Sequence, residues 1–160
     1  MFREIAGLPG HVLIVHAVVV LVPLLALLSV AYGVLPRWRS RLGWAVAALA
    51  VLSPIFAFVA TESGEAFQEV LEERGYPADA LQKIHEHAEY GEDLRLYVVG
   101  LAVAALVLLV LTSGHPRVPR LPGFVVPAVT VVVIVLAALS LLYAYWTGDS
   151  GAQSVWGNTL

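Results

Sequence analysis

The sequence predicts an all-α integral membrane protein: an antiparallel four-helix bundle with a helical loop on the extracytoplasmic side. Three observations predict it. Four stretches, 12–35, 42–61, 96–114 and 121–148, contain no Lys, Arg, Asp or Glu, and each holds about the 20 residues a helix needs to cross a hydrocarbon core of ~30 Å. The 160-residue chain is 59% hydrophobic and only 13% charged. Its apolar runs show no alternation, which excludes a β-barrel and leaves helices as the structure that satisfies the backbone in lipid. Charges, finally, are segregated. Arg37, Arg39 and Arg41 occupy one short connection and Arg117 and Arg120 another, whereas 62–95 holds ten of the twelve carboxylates against three basic residues. Cytoplasmic loops collect Lys and Arg beside spanning helices, so both arginine turns belong inside and the acidic segment and both chain ends outside.

The four spans are expected at 11–35, 42–62, 94–114 and 122–147, within a single membrane domain covering 1–160. Span one is distinguished from a cleaved signal peptide by its flanks: Arg3 is offset by Glu4, and three arginines follow the apolar run. Pro36 opens the first inner turn, where Trp38 and Trp44 mark the interface. Pro23, Pro54 and Pro127 fall inside spans one, two and four, positions a bundle tolerates when neighbours absorb the freed carbonyls. The extracytoplasmic loop, 63–93, begins with an amphipathic helix over 63–74 that presents Phe67, Val70 and Leu71 on one side. Gly75-Tyr76-Pro77 breaks it, with Pro77 opening the helix that leads into span three. His115 sits in the second inner turn among arginines and reads as a solvated residue. Span four ends in the aromatic residues Tyr143, Tyr145 and Trp146, with Trp156 beyond.

A short internal repeat is visible. Thr61-Glu62-Ser63-Gly64 ends span two and Gly148-Asp149-Ser150-Gly151 ends span four, giving acid-Ser-Gly twice at the outer end of an outward-running helix. Spans one and three both begin near histidine, at His11 and His16 and at His85 and His87. Together these features predict a 2+2 pseudo-repeat about an axis along the membrane normal.

Histidines and carboxylates therefore gather at one mouth of the bundle. At roughly 1.5 Å of rise per residue, His11, His16, His87, Glu62 and Asp149 form a layer at or just beyond the outer boundary. His87 continues the stripe of Leu94 and Val98 into the bundle, whereas His85 aligns with the solvated Glu89 and Glu92. His11 and His16 lie about 140° apart around the helix and cannot point the same way. Imidazoles with carboxylates and no cysteine suit zinc, iron or copper, and histidines on facing helices also suit a b-type haem. The plainer alternative is that such groups are merely solvated and that acid-Ser-Gly ends a helix.

Several classes are excluded or disfavoured. Zero cysteines exclude disulfides, thiolate metal sites and c-type haem attachment. The five arginines are explained by orientation and anionic lipid, so nucleic acid is not a partner. No charged relay crosses the core, which argues against ion or proton transport. No nucleophile–base pair is recognisable from spacing, which leaves an enzyme as the third choice.

The opening Gly7-Leu8-Pro9-Gly10-His11-Val12-Leu13-Ile14-Val15-His16, the stretch His87-Ala88-Glu89-Tyr90-Gly91 and the closing Gly148-Asp149-Ser150-Gly151-Ala152 with Val155-Trp156-Gly157 resemble the bacterial membrane proteins grouped as domain of unknown function 2231. The resemblance covers nearly the whole chain and implies a four-span protein of the bacterial plasma membrane. Some relatives are joined to Rieske iron–sulfur domains, which implies a redox setting. The family pattern has histidines at His11, His16 and His87, and in many relatives another where this chain has Asp149. Because aspartate is a poor axial ligand, that departure favours a metal ion or a degraded site, and leaves open a haem held by His11 or His16 with His87.

The combined expectation is a small binding or redox-accessory protein of the lipid bilayer. His11, His16 and His87 are its candidate ligands for a metal ion or haem, with Asp149 and Glu62 as carboxylate ligands or orienting partners. The alternative is a non-catalytic structural or assembly subunit of a membrane complex or homo-oligomer, without a cofactor.

Overall fold

A computed structural model describes residues 10–116 and 122–156; Arg117 and Arg120 lie outside the described residues. It contains four long helices: α1 (Gly10–Val34), α2 (Arg39–Glu73), α3 (Ala78–Thr112) and α4 (Val125–Trp156), with a 3-10 turn at Pro36–Trp38 between the first two. All four are long and apolar enough to cross a membrane. Each helix packs on its neighbours in sequence, and α4 closes the ring against α1. Across the diagonals the backbones of α1 and α3 approach more closely than those of α2 and α4 among the described residues.

Sequence chemistry explains the turns. At the end of α2, Gly75 adopts φ 71°, a left-handed conformation without steric cost only for glycine. Around it, Tyr76 N–H donates to the Leu71 carbonyl at 3.2 Å and Gly75 N–H to that of Glu72 at 3.0 Å, the paired bonds of a Schellman ending. Pro77 then stands just before α3, its carbonyl accepting from Ala80 and Leu81 N–H at 3.1 Å. The loop expected over 63–93 is thus built from outward extensions of α2 and α3, and 63–74 continues α2 without a break. Pro127 lies not in a helix interior but in the first turn of α4, where a proline's missing N–H removes no intrahelical bond. At the opposite end, Arg39 donates to the carbonyls of Tyr32 and Gly33 at 3.2 and 3.1 Å and lies 5.6 Å above the Tyr32 ring. A cation thereby satisfies the last carbonyls of α1. The Tyr32 hydroxyl meets Thr112 Oγ1 at 2.6 Å, tying α1 to α3.

The core alternates alanines with larger apolar side chains. Leu25, Ala26, Ala50, Leu101, Ala102, Ala105, Leu108 and Ala137 form its main cluster with Tyr32, Val46 and Val133, as expected where packing rather than hydrophobicity holds helices together in lipid. A second cluster of Val18, Val22, Ala57, Leu94 and Val98 lies towards the acidic end. Outward-facing residues such as Val20, Leu27, Val51, Phe58, Val103 and Val131 stay exposed on the bundle, an apolar surface that suits lipid rather than water. Buried positions recur at one constant offset: Val18, Val22, Leu25, Ala26, Ser29 and Tyr32 in α1 answer to Leu94, Val98, Leu101, Ala102, Ala105 and Leu108 in α3. In the other two helices Val46, Ala50 and Ser53 answer to Val133, Ala137 and Ser140.

Candidate functional site: a pair of histidines at the acidic end

The N-terminus of α1, the C-terminus of α4 and the polar extensions of α2 and α3 meet at one end of the bundle. His11 precedes the apolar span that begins at Leu13, and His87 is separated from the apolar part of α3 by Glu89, Glu92, Asp93 and Arg95. Both stand beyond the charge-free stretches 12–35 and 96–114.

Each histidine is clasped by the partner helix of its own hairpin. His11 Nδ1 lies 3.0 Å from Ser63 Oγ of α2, and His87 Nδ1 lies 3.0 Å from Ser150 Oγ of α4. The two serines also donate within their own helices, Ser63 Oγ to the Ala60 carbonyl at 2.9 Å and Ser150 Oγ to the Thr147 carbonyl at 3.2 Å. A hydroxyl has one proton to give, and a carbonyl none. The serine proton can go to the carbonyl or to Nδ1; where it goes to the carbonyl, Nδ1–H is the donor to the serine and Nε2 keeps the lone pair.

Glycine makes the clasp possible. A Cβ on Gly64 would stand 3.1 Å from His11 Cε1, and one on Gly151 would stand 2.9 Å from His87 Cε1. Phe67 stacks on His11 with ring centroids 6.5 Å apart and planes 11° from parallel. On the α3–α4 side, Tyr90, Tyr97, Tyr143 and Trp146 form a continuous aromatic cluster with neighbouring centroids 4.8–6.5 Å apart.

Electrostatics keeps both rings neutral. Burial pushes the His11 imidazole below its ordinary value of 6.5, and the nearby His87 pushes it further, against a smaller upward pull from the Ala60 carbonyl. Burial likewise lowers His87, opposed by the Thr147 carbonyl. Their helices, α1 and α3, are the diagonal pair that approach one another.

The other expected ligands are not gathered with them. His16 is exposed on α1. Glu62 is exposed, 4.0 Å from Arg95, whose guanidinium also donates to Thr61 Oγ1 at 3.1 Å. Asp149 is exposed and accepts from Gln153 at 2.8 Å. Among the described residues no three His, Asp or Glu side chains form a group arranged to hold a metal ion. His85, on the solvated face, is exposed and 3.4 Å from Glu89. Ser63 and Ser150, which meet the two histidines, are the positions that sequence reasoning undervalued. The repeated acid-Ser-Gly was the signal, but its serine and glycine meet the histidines while its acid faces away.

Four spanning helices packed as a closed bundle define a multi-pass integral membrane protein. The chain belongs to the family described as "Predicted membrane protein (DUF2231)", which matches it over residues 7–160. No curated protein and no solved structure matches it.

Proposed function

We propose that this protein is a small membrane-embedded binding protein that holds one metal centre between His11 and His87 at the extracytoplasmic mouth of its bundle, and serves as a redox accessory to a membrane partner. The observation that carries the reading is the matched pair of clasps. Two imidazoles from diagonal helices each meet a serine hydroxyl through Nδ1 at 3.0 Å, which leaves Nε2 as the nitrogen available to a ligand, the arrangement in which a ligating histidine is oriented through its other nitrogen. The recurrence of buried positions and of both clasps supports a 2+2 duplication, with the pseudo-two-fold axis passing between the two histidines. Within this reading His16, Glu62 and Asp149 are peripheral groups. The extracytoplasmic placement rests on the arginine turns at the other end.

Purification in mild detergent, elemental analysis of bound metals and oxidised and reduced visible spectra test it. One His-dependent metal centre per chain is expected. Absence of any centre bound by native protein, or after exposure to hemin, Cu²⁺, Fe²⁺ and Zn²⁺, refutes it.

A second reading has its own observation. Each His–Ser bond joins the two helices of one hairpin, and each ring fills the space above a glycine, so the clasps also suit a purely structural subunit of a membrane assembly. Loss of fold without any change in metal content on removing either histidine favours that reading.

A further inference from the structure

We propose that the outward face at the start of α2 is a binding site for one anionic phospholipid of the adjoining leaflet. Arg37 and Arg41 take its headgroup phosphate, Trp44 lies at the level of its glycerol, and Val51, Leu52 and Ile55 run beside an acyl chain. This surface is separate from the histidine pair and does not depend on a metal centre.

The three arginines of the first inner turn divide by role. Arg39 is half-buried and spends its guanidinium on the carbonyls of Tyr32 and Gly33, at 3.2 and 3.1 Å, and on the face of the Tyr32 ring. Arg37 and Arg41 are exposed, and among the described residues neither meets a carboxylate. The first turn of α2 holds no acid, and every carboxylate of that helix stands at its other end, from Glu62 onwards. Two unneutralised guanidiniums beside a hydrocarbon layer call for an anion, and a guanidinium holds phosphate oxygens through paired N–H bonds. A zwitterionic headgroup brings its own ammonium, which two neighbouring cations disfavour. An anionic headgroup does not.

The face below the arginines sets the class of ligand. At 100° per residue, Arg41, Trp44, Val51, Leu52 and Ile55 fall within a sector of about 100°. Trp44 is 75% exposed, Val51 54%, Leu52 42% and Ile55 52%, so no helix of the bundle covers that sector. From Trp44 to Ile55 the helix rises about 16 Å, against ~15 Å for one leaflet of a ~30 Å hydrocarbon core. Arg41 stands about 4.5 Å beyond Trp44. An apolar length of one leaflet, an indole at its edge and cations just outside repeat the order of acyl chain, glycerol and phosphate in a lipid. A soluble phosphate would use the arginines and leave the apolar length idle, so the lipid is the better fit.

Full-length protein keeping Trp44 as its one tryptophan (Trp38→Phe, Trp146→Phe, Trp156→Phe), reconstituted in phosphatidylcholine vesicles, tests the proposal through quenching by brominated lipids. Brominated phosphatidylglycerol should quench Trp44 at a lower mole fraction than brominated phosphatidylcholine. Each arginine should contribute about 5-fold in relative affinity, and raised salt should narrow the difference. Arg37→Gln with Arg41→Gln should bring the two lipids level. Arg37→Lys with Arg41→Lys should keep most of the preference, since the charge remains, and this pair guards against a folding artefact. A protein keeping Trp146 alone should show no preference. Equal quenching of Trp44 by both lipids, or a preference that survives the double glutamine variant, overturns the proposal. Displacement of the brominated lipid by millimolar inorganic phosphate assigns the arginines to a soluble anion and overturns it too. Quenching by neither lipid means that a second copy of the chain covers the face, with the same consequence.

Discussion

Replacing Gly151 by alanine should separate the site from the stability of the bundle. The new Cβ would stand 2.9 Å from His87 Cε1 and 3.3 Å from Nδ1, against the 3.4 Å at which ordinary contact begins. The ring must retreat by about 0.5 Å, away from the helix that carries Ser150. Its 3.0 Å bond to Ser150 Oγ then stretches to about 3.5 Å, where a hydrogen bond is no longer made. Losing that bond costs about 0.5–1.5 kcal/mol, while alanine for glycine inside a helix gains about 0.8–1 kcal/mol. The two effects cancel to within about 1 kcal/mol, so unfolding in SDS–detergent mixtures should hardly change. The hydrogen bonding of His87 Nδ1 should change, and ¹⁵N NMR of selectively labelled histidine reads it directly as a shift of the Nδ1 signal. Gly64→Ala should do less, because its 3.1 Å approach to His11 Cε1 needs a retreat of only a few tenths of an ångström. A Gly151→Ala protein with an unchanged His87 signal would refute the clasp. A loss of stability well above 2 kcal/mol would instead mean that α3 and α4 had been driven apart.

Four further outcomes are expected. Gly33→Ala places a Cβ 2.7 Å from Thr130 Cγ2, a buried branched side chain anchored to the Val126 carbonyl at 2.9 Å; overpacking of about 1–3 kcal/mol should exceed the alanine gain, and Thr130→Ser should relieve it in the double variant. A double-mutant cycle of His11→Ala with Ser63→Ala should give a coupling of about 0.5–1.5 kcal/mol, and a value of zero means the bond is not made. Both histidines sit below 6.5 because burial disfavours their charged forms, so the unfolded chain binds more protons as the pH falls. Stability should therefore hold above about pH 7 and decline from 6.5 downwards until the lowered values are passed, a slope that a His11→Gln, His87→Gln variant should flatten. Single cysteines are clean probes in a chain that has none: in intact cells an impermeant maleimide should label Glu69→Cys and spare Arg37→Cys, and the reverse result inverts the proposed orientation.

Much of the fold was legible because lipid imposes simple rules. Spans of about 20 apolar residues and the glycine and proline at Gly75 and Pro77 follow from local chemistry. His87 was separable from His85 because two residues on a helix turn the side chain by about 200°, and the stripe through Leu94 and Val98 set the inward direction. The uninterrupted run of α2 through 63–74 was less readable, because an amphipathic extension and a separate short helix share the same periodicity. Pro127 reads as a mid-span residue only until the start of α4 at Val125 is known.

What the sequence by itself determined is a chain crossing a bilayer four times with its polar groups at one end, since hydrophobic length and charge asymmetry are properties of composition along a line. Tertiary structure alone decided which of those groups meet. Glu62 and Ser63, or Asp149 and Ser150, differ by only about 100° of rotation on one helix, and the position of the neighbouring helix selects the serine to face an imidazole and leaves the acid in solvent.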